Sequence, residues 1–261
     1  MNTIQTLILG IVEGLTEFLP ISSTFHLIVT SKILGLEPTE YLKIFNVVIQ
    51  SGAILALLLI YTKTLLNDSK LLLNVIYSFI PTGIVGFLLH NIIKNIFFES
   101  EILILVVFIL VGAFFLVLEK YLSHNKIELT KDCSSLNVKQ SILVGLAQAL
   151  SVVPGVSRAG SVIVAMMCLG YKREEAAKYT FLLSLPTILG AGALDLYQGR
   201  ELILSMASGW STLLLGMLTA LITAYFVVKW LTNYLSTHTL AIFGWYRLVV
   251  AGILIAFKVL P

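Results

Sequence analysis

Three stretches, Ile44–Thr62, Leu71–Ile93 and Ile102–Leu118, contain no Asp, Glu, Lys or Arg. Each is close to the roughly 20 apolar residues that carry a helix across a bilayer. Only 12% of the chain is charged, about half of the 25% usual in a soluble domain. Inside lipid, every backbone N–H and C=O must find a partner within the protein. The expected fold is therefore an all-α polytopic membrane protein. A formal charge of +3 is too small to point to nucleic acid, and no basic patch with interleaved aromatics occurs. The two cysteines, Cys133 and Cys168, lack metal-ligand spacing and do not form a disulfide framework. No basic segment precedes Lys32, so no cleaved signal peptide is expected.

Against this background the stretch Gly10–His26, GIVEGLTEFLPISSTFH, stands out. It is apolar enough to enter the bilayer, yet it carries Glu13, Glu17, Ser22, Ser23, Thr24 and His26. A charged side chain at membrane depth costs roughly 2.5–3.5 kcal/mol on insertion scales, so such residues mark sites. Glu13 and Glu17 are four apart and share one helix face. Two carboxylates there must share a cation or a proton, or face a cationic group. Pro20 is expected to end the helix near Leu19. Residues 3–19 and 23–35 then form a short re-entrant hairpin.

Gly145–Arg158, GLAQALSVVPGVSR, repeats this pattern. Gly10, Glu13, Leu15 and Thr16 map onto Gly145, Gln148, Leu150 and Ser151, each 135 residues later. Pro20 maps onto Pro154 after a one-residue slip, and Ser22 maps onto Ser157. Helices near 138–151 and 157–169 give a second hairpin. Spans follow, from Lys172 to about Leu196, within Leu202–Val228, and over Leu240–Phe257. The expected plan is one membrane domain, 1–261, with repeats at about 1–125 and 137–261 joined by the polar loop 123–139. Each repeat has one hairpin and three spans. Three is odd, so the second half is expected to be inverted relative to the first. Lys63, Lys70, Lys120, Lys126, Lys131, Lys139, Lys172 and Arg173 crowd one side, and mainly Lys32, Lys94, Arg200 and Lys258 the other. The first side is assigned to the cytoplasm, which puts both termini outside.

The two half-sites are complementary. Arg158 presents a planar fork suited to phosphate oxygens. It follows Pro154-Gly155 at a helix start, where free N–H groups favour anions. Ser157 adds a hydroxyl, and Ser161 lies one turn further on. His26 is placed to reach back to the hydroxyl of Ser22 or Ser23, as in an activated nucleophile. Glu13 and Glu17 are able to hold a divalent cation such as Mg2+ or Ca2+, or to hold a proton. The set suits phosphoryl transfer. Each residue also has a structural reading. Ser22 and Ser23 are ordinary N-caps, Arg158 can snorkel, and the Glu pair can simply close the fold. Arg247 reads as a structural pairing, Asp195 as a solvated span end, and Gln50 as an interhelical hydrogen bond.

These residues resemble the bacterial undecaprenyl-diphosphate phosphatase family of the bacitracin-resistance type. EGLTEFLPISST-x-H at 13–26 is similar to its glutamate-rich motif, and PGVSR at 154–158 to its PGxSR motif. FIPTGIVGF (79–87), FLLSLPTILGAGALDL (181–196) and FGWYRL (243–248) resemble further recurring segments. The resemblance implies hydrolysis of undecaprenyl diphosphate to the monophosphate and phosphate, outside the cytoplasmic membrane. That reaction recycles the lipid carrier for cell-wall polymers. By position, Glu13 and Glu17 match the acidic pair, Ser23 the nucleophile, His26 the catalytic histidine, and Ser157 and Arg158 the phosphate-binding pair. Ser22, Thr24, Gly155 and Ser161 are further expected substrate contacts. Expected partners are the polyprenyl diphosphate and membrane lipids; a homodimer is compatible with the sequence. Phe25, Ala159 and Val162 replace the family's usual glycine, serine and threonine. These departures bear on substrate preference or turnover rather than fold. Direct attack by water, with Ser23 only a ligand, stays open, as does the choice of Glu17 or His26 as proton acceptor. So do a secondary transporter or lipid flippase built on inverted repeats, and a non-catalytic lipid binder.

Overall fold

Proline 20 ends the first helix before reaching its own position. Its ring clashes with the carbonyl four residues back, that of Thr16, and it has no N–H to offer. In the computed structural model, which describes residues 1–92, 100–206 and 208–259, helix α1 therefore runs only over Thr3–Thr16. A turn carries the chain through Pro20 to α2, Ser23–Ile33. Three long helices follow: α3 (Glu40–Asn67), α4 (Ser69–Ile92) and α5 (Glu101–His124). Ile93 and Lys94 lie outside the described residues. The second half repeats the order with α6 (Val138–Ala149), α7 (Arg158–Cys168), α8 (Arg173–Ser205), α9 (Gly209–Thr237) and α10 (Ala241–Ala256). Among the described residues there is no strand, only an isolated bridge between Lys131 and Tyr171 that clips the central loop.

Five of these helices, α3, α4, α5, α8 and α9, are long and apolar enough to cross a membrane. The protein is a multi-pass membrane protein. The second half departs from the expected three full spans. Its last helix, α10, has 16 residues, about 24 Å at 1.5 Å per residue, less than the ~30 Å hydrocarbon core. Helix α8 continues past Leu196 to Ser205, because no proline or cap interrupts it there. Asp195 is consequently a half-buried residue inside a helix, not a solvated span end. Gln50 donates to the Asn46 carbonyl of its own helix at 3.3 Å, not to a neighbouring helix.

Both hairpins start and stop alike. Asn2 and Gln5 cap α1 reciprocally, and Asn137 and Gln140 do the same for α6. Ser22 and Ser157 precede the second helix of each hairpin, at φ 67° and 74°. Gly35 and Gly170 end those helices at φ 66° and 88°, the left-handed closure in which glycine is at ease. All these pairs stand 135 apart.

Close contact between small residues holds the layers together, as it must where lipid removes the hydrophobic drive between helices. Helix α1 lies along α9, with Gly10 against Gly216 and Gly14 against Ala220. Helix α6 lies along α4 in the same manner, with Gly145 against the Ser78 carbonyl. Outward-facing Leu59, Leu110, Val117, Leu214 and Phe226 are exposed, as suits a lipid-facing surface. One end of the bundle is tied by Gln5 to the Leu34 carbonyl, Tyr41 to the Gly209 carbonyl, and Lys32 to Glu101. The other is tied by Lys70 to the Ser134 carbonyl, Lys172 to Asp132, and Arg173 to Glu119.

The hairpin tips are joined by one side chain. Arg247 on α10 is fully buried. Its Nε donates to the Pro20 carbonyl at 3.0 Å, Nη1 to Gly155 at 2.8 Å, and Nη2 to Val156 at 3.2 Å. Its charge lies over the ring of Phe108, 4.8 Å from the centroid. The structural reading of Arg247 therefore fits, with carbonyls rather than a carboxylate as partners. Removing a donor from a buried carbonyl costs about 1–3 kcal/mol. Arg247→Met should accordingly lower the thermal unfolding midpoint in detergent by several degrees or abolish folding. An unchanged midpoint would mean that the tips hold together without it.

Candidate active site

Glu17 caps the end of α1, its N–H donating to the Glu13 carbonyl at 2.9 Å. From there its carboxylate reaches both hairpins. Oε2 accepts from the Ser23 hydroxyl at 2.5 Å. Oε1 accepts from Arg158 Nη2 at 2.8 Å. One buried carboxylate thus links the start of α2 to the start of α7, and places the acidic pair beside the guanidinium. Side-chain exposure is 5% for Glu17 and 11% for Arg158, so solvent screens this pair little.

The polar atoms around it are incompletely matched. Glu13 has no exposed surface, and among the described residues no donor reaches either of its oxygens. Arg158 Nη1 likewise has no acceptor. A buried polar group without a partner costs about 1–3 kcal/mol, more if charged. These atoms lie within a turn of Glu17, so the cost falls in one place. A ligand with oxygen acceptors for Arg158 and a cation or proton for Glu13 would remove it. Mg2+ is commonly held by one or two carboxylates together with substrate phosphates, and Glu13 and Glu17 fit that pattern. No larger group of His, Cys, Asp and Glu gathers among the described residues.

Contrast a second buried carboxylate, Glu119. It accepts from Arg173 Nε at 2.9 Å, from Arg173 Nη2, and from the Leu240 N–H at 2.8 Å. Its donors are complete, and it serves to tie α5, α8 and the start of α10. Beside Glu17, by contrast, two ionisable side chains, Glu13 and Arg158, keep buried atoms without partners.

The remaining expected site residues divide. Ser157 is an N-cap whose Oγ accepts from the Gly160 N–H at 3.2 Å. Ser22 occupies the matching position but makes no side-chain cap bond. Thr24 is half-buried in the first turn of α2. With their first N–H groups free of helical partners, α2 and α7 offer donors to an anion. Gly155 is held from behind, its carbonyl taken by Arg247; at φ 95° it shapes the tip. The Ser161 hydroxyl donates to the Arg158 carbonyl at 3.0 Å.

His26 reaches neither serine hydroxyl. Its Nδ1 bonds the Ser22 backbone carbonyl at 2.8 Å, and its Nε2 bonds the Tyr246 hydroxyl at 2.8 Å. Phe25 meets the His26 ring edge-on, with centroids 5.5 Å apart. The Phe25 ring stacks on Phe108 at 3.8 Å and is buried in the core. Ala159 and Val162 are also buried among apolar neighbours. Tyr246 and the clamp role of Arg247 are the features that sequence reasoning missed. Arg247 carries the signal of a charge inside an apolar helix; Tyr246 carries none beyond its adjacency.

Comparison with known proteins shows the family. The family described as Bacitracin resistance protein BacA matches residues 6–253. A protein named undecaprenyl-diphosphatase from Aquifex aeolicus (strain VF5) is 40% identical over 257 residues, covering 98% of this chain and 99% of its own. Another of that name from Sulfurihydrogenibium sp. (strain YO3AOP1) is 42% identical over 254 residues, covering 97% and 98%. A third, from Campylobacter fetus subsp. fetus, is 38% identical over 260 residues, covering 98% and 99%. Matched over nearly its whole length, the chain belongs to the BacA family.

Proposed function

We propose that the chain hydrolyses undecaprenyl diphosphate to undecaprenyl phosphate and inorganic phosphate, and so recycles the carrier lipid used in cell-wall synthesis. The substrate is the one that its relatives are named for. The observation that carries the reading is the Glu17 carboxylate, hydrogen-bonded to Ser23 on one side and Arg158 on the other. A carrier or flippase has no need of a hydroxyl held against a base, and a mere binder has no need of either.

The Ser23 Oγ attacks the terminal phosphorus while Glu17 takes its proton. The bond from that phosphorus to the bridging oxygen breaks, and Glu17 returns the proton to the departing undecaprenyl phosphate. Water, deprotonated by Glu17, then attacks the phosphoserine; the P–O bond to Ser23 breaks, Glu17 returns the proton to Ser23 Oγ, and phosphate leaves. Arg158 grips a phosphate oxygen through its open Nη1, with the α7 N-terminus and Ser157 beside it. This assigns the proton acceptor to Glu17, since both nitrogens of His26 are otherwise engaged. A divalent cation, Mg2+ or Ca2+, held by Glu13 and Glu17 would offset the charge of the diphosphate.

The same reading makes the two halves inverted copies. Its support is that α1 and α2 have their outer ends where α3 begins, whereas α6 starts beside the beginning of α4, at the opposite end. With the Lys-rich end in the cytoplasm, the first hairpin opens to the outer side of the bacterial cytoplasmic membrane and both termini lie outside. The polyprenyl tail stays among lipids.

Arg158→Ala should cut phosphate release by about two orders of magnitude, the scale of losing one electrostatic stabiliser. Near wild-type turnover would remove Arg158 from the site. Acid quenching during turnover should trap a phosphate on Ser23, detectable by peptide mass. Full activity of Ser23→Ala would instead establish direct attack by water.

A further inference from the structure

We infer that Tyr246 is a positioning residue for this hydrolysis: through His26 it holds the strained turn at Ser22 that points Ser23 at Glu17. The inference rests on the function proposed above.

The chain of contacts is continuous. A carbonyl oxygen only accepts, so His26 Nδ1 must carry the hydrogen that bonds the Ser22 carbonyl at 2.8 Å. In a neutral ring Nε2 is then the acceptor, and the Tyr246 O–H donates to it at 2.8 Å. Tyr246 thus selects the tautomer that pulls on Ser22. The rings of His26 and Tyr246 lie nearly parallel, 18° apart with centroids 5.7 Å apart. Phe25 and Phe108 meet the imidazole edge-on.

Ser22 needs such a hold. At φ 67° and ψ 92° it occupies a region that side-chain-bearing residues avoid, and its hydroxyl makes no cap bond. The matching residue of the other hairpin, Ser157, is equally strained at φ 74° but is braced by its own hydroxyl, which accepts from Gly160. The first hairpin replaces that internal brace with an external one. Its Ser22 hydroxyl is left free, and the next residue, Ser23, meets Glu17 at 2.5 Å. Helix α10 therefore grips one tip at two adjacent points, Pro20 through Arg247 and Ser22 through Tyr246 and His26.

The test combines nitrogen-15 histidine spectra with kinetics of purified full-length protein in detergent. In the wild type, His26 should show a protonated Nδ1 and a bare, hydrogen-bonded Nε2. A protonated Nε2 with a bare Nδ1 overturns the inference, whatever the variants do. Tyr246→Phe should shift the His26 signals and lower kcat about five- to tenfold, the size of one lost hydrogen bond. KM should stay within about twofold, because Arg158 still grips phosphate. His26→Ala and the double variant should be equally slow, since Tyr246 acts only through the ring. Unchanged kcat in Tyr246→Phe, or losses that multiply in the double variant, would overturn it. A wild type that releases no phosphate from a long-chain polyprenyl diphosphate would defeat the proposed function instead, while the tautomer would still report on the brace.

Discussion

Breaking two helices inside a bilayer leaves carbonyls and N–H groups where no lipid can bond them. The protein must supply the missing partners from its own side chains. Arg247 does this for the carbonyls, bonding Pro20 on one tip and Gly155 and Val156 on the other. One guanidinium thus takes backbone carbonyls from the tips of both hairpins. A lysine ammonium is a point charge and could not spread its donors over the same arc. With the carbonyls satisfied behind the tips, the first N–H groups of α2 and α7 remain without helical acceptors.

The two hairpins share a pattern of caps and turns, and they differ in their polar side chains. Glu13 and Gln148 stand 135 residues apart in the two matching stretches. Gln148 donates to Thr82 at 2.9 Å and Thr187 at 3.2 Å, and serves as a neutral tie between α4, α6 and α8. Glu13 meets no donor. Ser157 caps its own helix, while Ser22 leaves that task to its carbonyl and to His26. Ser157 makes a cap bond where Ser22 makes none, and the Gln148 amide N–H groups find acceptors where Glu13 finds no donor. Glu13 and the open Nη1 of Arg158 flank Glu17, which Arg158 bonds through Nη2.

Much of this was legible from the sequence because ionisable residues in an apolar run are costly and therefore informative. Glu13, Glu17 and Arg158 declared themselves on that ground, and the repeat placed them on facing hairpins. The helix ends were less legible. Pro20 acts on Thr16, four residues away, so α1 ends earlier than its own position suggests. At α8 the sequence held a glycine and two charges near residue 200, which resemble a loop; in the fold Gly199 accommodates Ile44 and the helix continues. His26 was read by sequence proximity to the serines, but its ring bonds the Ser22 carbonyl and Tyr246, which is 220 residues away. A neutral tyrosine at an apolar surface carries no energetic signature, and only the three-dimensional contact reveals it.

The charges at the site also constrain how it fills. Arg247 is committed to backbone carbonyls, so Arg158 alone faces Glu13 and Glu17. With both carboxylates ionised, that trio has a net negative charge before any substrate arrives. A diphosphate would add further negative charge in a region where water screens little. Binding then requires that a proton sit on the acid pair or that a cation enter with the headgroup. Since Glu17 must be free to accept from Ser23, the proton, if that is the solution, belongs on Glu13. A divalent ion would satisfy both carboxylates and phosphate together, and would leave Arg158 Nη1 for the terminal phosphate. Either way, the unmatched oxygens of Glu13 are the point at which the site adjusts its charge to its ligand.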